Sequence, residues 1–176
     1  MKKFILLLST ILVFSAGSLS AQEERAPSPA AKLSQKVGLT DVIIEYSRPG
    51  MKGRTIFAED GLVPYGKIWR TGANSATKIT FSGPVTIGDT ELEAGSYAIL
   101  TMPGEDKWMV HFYPFKANGW GSYRDADPAV AVEATPTMGS EAVESFLITV
   151  DELKDYSAHL VMMWDKTRVA VPFKVK

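Results

Sequence analysis

The chain has 176 residues, nineteen basic against twenty acidic for a formal charge of -1, and no cysteine. That balance offers no field for nucleic acid or for an anionic membrane surface. The missing thiols exclude disulfides and a lipid-modified cysteine.

The start, "MKKFILLLSTILVFSAGSLSAQ", has the order of a secretory signal peptide over residues 1–21: Lys2 and Lys3, an apolar run from Phe4 to Phe14, then small residues through Ala21. The apolar run is too short to span a bilayer, so an anchor is the weaker reading. Cleavage near Ala21 leaves about 155 residues, one domain by the usual size and large enough to bury a core without staples. The predicted destination is a bacterial periplasm or the exterior, with no integral membrane segment after cleavage. Residues 22–30 are polar and proline-bearing, a linker composition, and residues 31–176 are predicted to form a single domain.

Within that domain, short runs rich in Val, Ile, Thr and aromatics recur between Gly and Pro punctuation. "KLSQKV" and "DVIIEYS" flank "GLT" as an opening hairpin. The stretch 61–81, "GLVPYGKIWRTGANSATKITF", is irregular until its last residues, where "ATKITF" turns into a strand. "PVTI" and "TELEA" meet at Gly88-Asp89, a two-residue hairpin turn with glycine first. "GSYAILTM" and "KWMVHFY" bracket "PGED", with Trp108, Val110 and Phe112 on one face and Met109, His111 and Tyr113 on the other. Later runs repeat the alternation in Phe146, Ile148 and Val150, in Leu160, Met162 and Trp164, and in Val169, Val171, Phe173 and Val175. A weak helical period in "MGSEAVESFL" is pulled toward strand by the residues that follow it. The fold class predicted is all-β: eight to ten short strands in an antiparallel β-sandwich, jelly-roll-like, with little helix.

Signatures for a nucleophile elbow, a phosphate loop, a dinucleotide or a zinc protease are absent from the sequence, so no cofactor is implied. His111 and His159 sit inside alternating strands, where a structural role is favoured over a metal site. Acidic pairs such as Glu59-Asp60 and Asp125-Asp127 fall in turn-like stretches where carboxylates are ordinary.

Two segments carry more. "YPFKANGWGSYRD", residues 113–125, interleaves Tyr113, Phe115, Trp120 and Tyr123 with Pro, Asn and Gly. Such rings either stack on a sugar or other amphipathic ligand or cover the open end of the sandwich. Residues 48–70 hold Arg48, Arg54 and Arg70, half of the six arginines, with Lys52 and Lys67. Their forks either bind an anionic ligand or pin the loop to its own carbonyls and to acids such as Asp60.

The blocks "SRPGMKGRTIF", "LVPYGKIWRTGANSATKITF", "LEAGSYAILTMPGEDKWMVHF" and "WGSYRD", in this order and spacing, resemble a secreted bacterial family known as domain of unknown function 2911. The resemblance runs from about Ser28 to the C-terminus, with "VPYGKIWRTGAN" its most specific block. It implies an exported β-rich protein and supplies no reaction or catalytic residue. One departure is Ala58 in place of the family's usual Gly after "RTIF", so the bend there is expected at Asp60-Gly61.

These lines converge on a binding module for a small molecule or glycan, with Arg54, Trp69, Arg70, Asn74, Trp120 and Tyr123 as candidate ligand-binding residues and no metal. The alternatives are an envelope structural or partner-binding protein, marked by an exposed aromatic strip, and a carboxylate-based hydrolase using Asp125 or Glu59. Catalytic residues, oligomeric state and ligand identity are not specified by the sequence.

Overall fold

Alternating apolar and polar residues cannot bury their apolar half as isolated ribbons, so they pair edge to edge and close face to face. The computed structural model describes residues 26–176; the leader and residues 22–25 of the expected linker lie outside the described residues. The strands are β1 (Ala30–Val37), β2 (Thr40–Ser47), β3 (Phe57–Ala58), β4 (Val63–Pro64), β5 (Thr77–Phe81), β6 (Val85–Ile87), β7 (Thr90–Leu92), β8 (Gly95–Met102), β9 (Trp108–Pro114), β10 (Val130–Ala134), β11 (Thr137–Lys154) and β12 (Ser157–Val175). One 3₁₀ turn, Trp120–Tyr123, is the helical element among the described residues.

Six strands form one sheet in the order β1-β2-β5-β8-β9-β10, and four form a second in the order β11-β12-β6-β7. The all-β sandwich is therefore present. Its strands are more numerous than expected, and two are much longer, at 18 and 19 residues. The last two short runs of the C-terminal third fuse into β12 because a bulge, not a turn, separates them. Leu160, Met162 and Trp164 point inward on even positions, while Val169, Val171, Phe173 and Val175 do so on odd ones. Asp165, at φ 51° and opposite Val143, is where the phase changes.

The opening hairpin and the Gly88-Asp89 hairpin both form as expected, with Gly38 at φ 55° and Gly88 at φ 59° taking the left-handed first turn position. One core joins the two sheets: Val42, Ile44 and Ile79 from the larger one pack with Phe146, Leu160 and Val171 from the smaller. Full burial of each such side chain contributes about 1.5–3 kcal/mol, so this layer dominates the stability.

A second, smaller apolar cluster lies on the reverse face of β8 and β9. Ala98, Leu100 and Tyr113 alternate with the core-facing residues and meet Ala76 and Tyr123, with Ile68, Phe115 and Trp120 packed around them. The aromatic segment 113–125 thus lies over the outer face of the six-stranded sheet. It does not cap the end of the sandwich, because Leu100 and Ala98 leave an apolar outer surface that an open sheet would otherwise expose to water.

Candidate functional site

The irregular stretch between β2 and β5 is tied down at both ends. Its first part closes as a small parallel pair, β3 with β4, around a bend at residues 59–62. Gly61 makes that bend possible: a side chain there would bring a Cβ within 2.5 Å of the Ile56 carbonyl oxygen. The bend is where the Ala58 departure placed it.

Further on, Trp69 takes the place beside β8 that β5 has vacated. Its N–H donates to the Thr101 carbonyl at 2.7 Å, and the Thr101 N–H donates back at 2.9 Å. In this extended geometry neighbouring side chains point to opposite faces. The Trp69 indole enters the core, stacked on Trp164 at 5.7 Å and against Phe146 at 5.0 Å, with Nε1 donating to the Gly72 carbonyl at 3.0 Å. Arg70 points the other way, toward the outer-face loop.

There Trp120 waits on the 3₁₀ turn, with the Arg70 guanidinium carbon 5.4 Å and the Arg124 guanidinium carbon 4.4 Å from its ring centroid. Tyr123 holds the turn in place. Its hydroxyl accepts from the Lys116 and Ala117 amides, both at 2.9 Å, and donates to the Ala117 carbonyl at 2.7 Å. The Arg70 Nε is buried with no hydrogen-bond partner, and its guanidinium makes no ion pair among the described residues.

Between these elements opens a cleft of about 330 Å³ lined by Arg54, Lys67, Trp69, Arg70, Trp120 and Trp164, among others. Four of the six candidate residues meet there: Arg54, Trp69, Arg70 and Trp120. Asn74 does not line it. At φ 58°, its amide donates to the Ser28 carbonyl at 3.2 Å and to Ser47 Oγ at 3.3 Å, clamping the loop to the residues that precede β1. Asn is among the residues that tolerate this left-handed position. Tyr123 does not line the cleft either; it is fully buried, and its one polar atom is used up by the chain. In the structure both support the loops that border the cleft.

Arg54 stands at the rim with two donors engaged, Nε to the Met51 carbonyl at 2.9 Å and Nη2 to the Gly50 carbonyl at 2.6 Å. Arg48 lies outside the cleft; its Nε donates to the Phe146 carbonyl at 2.9 Å, linking the end of β2 to β11. Sequence reasoning missed Trp164, which its alternating strand marks as core and which also shows at the cleft floor. Arg124 was missed because nothing in "YRD" signals that it shares an indole with Arg70.

The carboxylates weighed for hydrolysis, Glu59 and Asp125, are exposed and do not line the cleft. His111 and His159 belong to strands of different sheets, and no group of three metal-ligating side chains is found among the described residues. Burial pushes the His111 imidazole below its ordinary pKa, which disfavours its charged form. Among the described residues the exposed large apolar side chains are Leu39, Leu62, Met138, Leu153 and Tyr156, of which one is aromatic, so these supply no aromatic strip.

The model of one family, described as Protein of unknown function (DUF2911), matches residues 28–173. No curated protein matches the chain. No solved structure matches it either.

Proposed function

The chain belongs to the family described as Protein of unknown function (DUF2911), and we propose that it is an exported bacterial binding module. It takes a small molecule or a glycan unit into the cleft between Trp69, Arg70 and Trp120 and does no chemistry on it. The observation that carries this reading is Arg70: its Nε is buried without a partner in a cleft whose lining also holds three tryptophans, aliphatic side chains, Arg54 and Lys67. A buried donor left unpaired costs about 1–3 kcal/mol, a cost that a ligand in the cleft removes. A few polar groups set among apolar and aromatic walls is also the general make-up of small-molecule sites. The position of Glu59 and Asp125 outside the cleft weighs against a hydrolase acting there.

A thermal-shift screen tests it, comparing wild type with Arg70→Ala across envelope sugars and organic acids. The expected result is a compound that raises the melting temperature of the wild type and leaves the variant unmoved. Failure of every compound to stabilise the wild type removes the reading.

A further inference from the structure

Resting on that cleft as a ligand site, we infer that its ligand is a small organic oxyanion, a carboxylate or phosphate carried on a body about the size of one sugar ring. The charge distribution carries the inference. Arg54, Lys67 and Arg70 line the cleft and no Asp or Glu does. Asp60, within the bend, lines an adjoining surface depression with Arg54 and Leu62. Arg124, which does not line the cleft, places a further guanidinium over the same indole that Arg70 meets.

None of these four cations forms an ion pair among the described residues. Lys32, Lys36, Lys78, Lys107, Arg168 and Lys176 do, while Arg48, Lys52 and four other described lysines do not. A larger groove of about 490 Å³ on the outer face of β1, β2 and β5 is lined by Lys32, Glu45 and Lys78. There Glu45 takes both lysines, and the hydrogen bond from Lys78 holds its carboxyl below the usual range. That groove carries an acid between its two lysines, whereas the smaller cleft has none along its lining.

Arg70 and Arg124 place two like charges beside one indole, each attracted to the ring and repelled by the other. An oxyanion relieves the repulsion and also gives the Arg70 Nε the acceptor it lacks. The guanidinium fork presents parallel N–H donors to two oxygens in one plane, a geometry that carboxylate and phosphate share. The floor adds a second requirement. Trp69, Trp164, Ile68 and Val63 offer apolar surface, so the anion must sit on a body with an apolar face. A volume near 330 Å³ is at the low end of small-molecule sites, which excludes an extended polymer from lying wholly inside.

Calorimetric titration of the full chain with glucuronate, glucose 6-phosphate and glucose tests the inference. At least one of the two anions should bind about tenfold or more tightly than glucose, and whichever does so identifies the source of the oxyanion. Its affinity should fall as NaCl is raised from about 20 mM to about 200 mM. Arg70→Gln should weaken the anion by about tenfold or more while leaving glucose where it was, and Arg70→Lys should recover only part of the loss, since it restores the charge without the fork. If Arg70→Gln does not fold, Lys67→Gln and the salt dependence carry the same comparison. Equal affinity for glucose and for both anions overturns the oxyanion while leaving the cleft as a ligand site, as does anion binding indifferent to both Arg70→Gln and salt. No saturable binding of any of the three at millimolar concentration overturns the inference, and a failed thermal-shift screen alongside it removes the cleft reading as well.

Discussion

The six-stranded sheet separates two groups of aromatic side chains that use the same residue types for different ends. On its inner face Phe57, Trp69, Trp108, Phe146 and Trp164 meet one another at centroid separations from 4.8 to 6.5 Å. Their indole donors are also engaged where the two sheets approach: Trp69 to the Gly72 carbonyl and Trp164 to the Glu144 carbonyl. On the outer face the rings meet cations instead. Arg70 and Arg124 lie over Trp120, and Lys78 lies 5.5 Å from the centre of Phe115. Ring against ring excludes water and fixes geometry, which gives stability. Ring against cation holds a charge in place without neutralising it: Lys78 has its counter-ion in Glu45, whereas Arg70 and Arg124 form no ion pair among the described residues.

Breaking the inner group should have the largest effect. Trp164 is about 1 % exposed and touches Phe57, Trp69 and Phe146. Trp164→Ala removes the stacked partner of Trp69 and opens a cavity, an expected loss of about 3–5 kcal/mol in urea unfolding. A loss under about 1 kcal/mol would mean that the inner rings are as loosely held as the outer ones, and the contrast between the faces would collapse. Tyr123→Phe gives a smaller effect and sharpens the comparison. The ring volume stays, but the Lys116 and Ala117 amides and the Ala117 carbonyl lose their common partner. The expected cost is about 1–3 kcal/mol, accompanied by faster hydrogen exchange at those two amides. Unchanged exchange there would show that something other than the Tyr123 hydroxyl orders the loop bearing Trp120.

Much of the inner face was legible because alternation is a property of sequence. Trp108, Val110 and Phe112 sort onto one side of β9 in the chain as they do in space. The outer face was harder to read. Tyr113 shares its side with His111 by the same rule, yet nothing local says that Leu100 and Ala98 leave an apolar patch for Tyr123 to cover. That contact joins β8 to a loop more than twenty residues away. The length of β11 and β12 was missed for a related reason, since a bulge reverses the inward parity at Asp165 and reads in sequence as a break between strands. For the site, residue type pointed to Arg54, Trp69, Arg70 and Trp120. It could not distinguish a side chain that faces a cleft from one used by the backbone, and so Asn74 and Tyr123 were grouped with them. Their partners, Ser28, Ser47 and Ala117, are set by the folded paths of the loops.

The smallest expected effect bears most directly on the cleft. Arg48 and Arg70 come from the same basic stretch, and a structural arginine looks like Arg48: its Nε bonds the Phe146 carbonyl and its Nη2 approaches the Ser145 carbonyl at 3.4 Å, tying one sheet to the other. Arg70 has no such anchor. Arg70→Gln therefore gives up the attraction to Trp120, about 0.5–1 kcal/mol, and recovers a similar amount from two sources. One is the repulsion from Arg124 over the same ring, and the other is the cost of a desolvated charged donor. The unfolding free energy of the ligand-free variant should fall within about 0.5 kcal/mol of wild type. Residues kept for binding characteristically show this pattern, because a group held ready for an external partner contributes little until that partner arrives. A loss above about 2 kcal/mol would place Arg70 with Arg48 as a tie within the fold, and the cleft would then lose the unpaired donor on which its reading as a site depends.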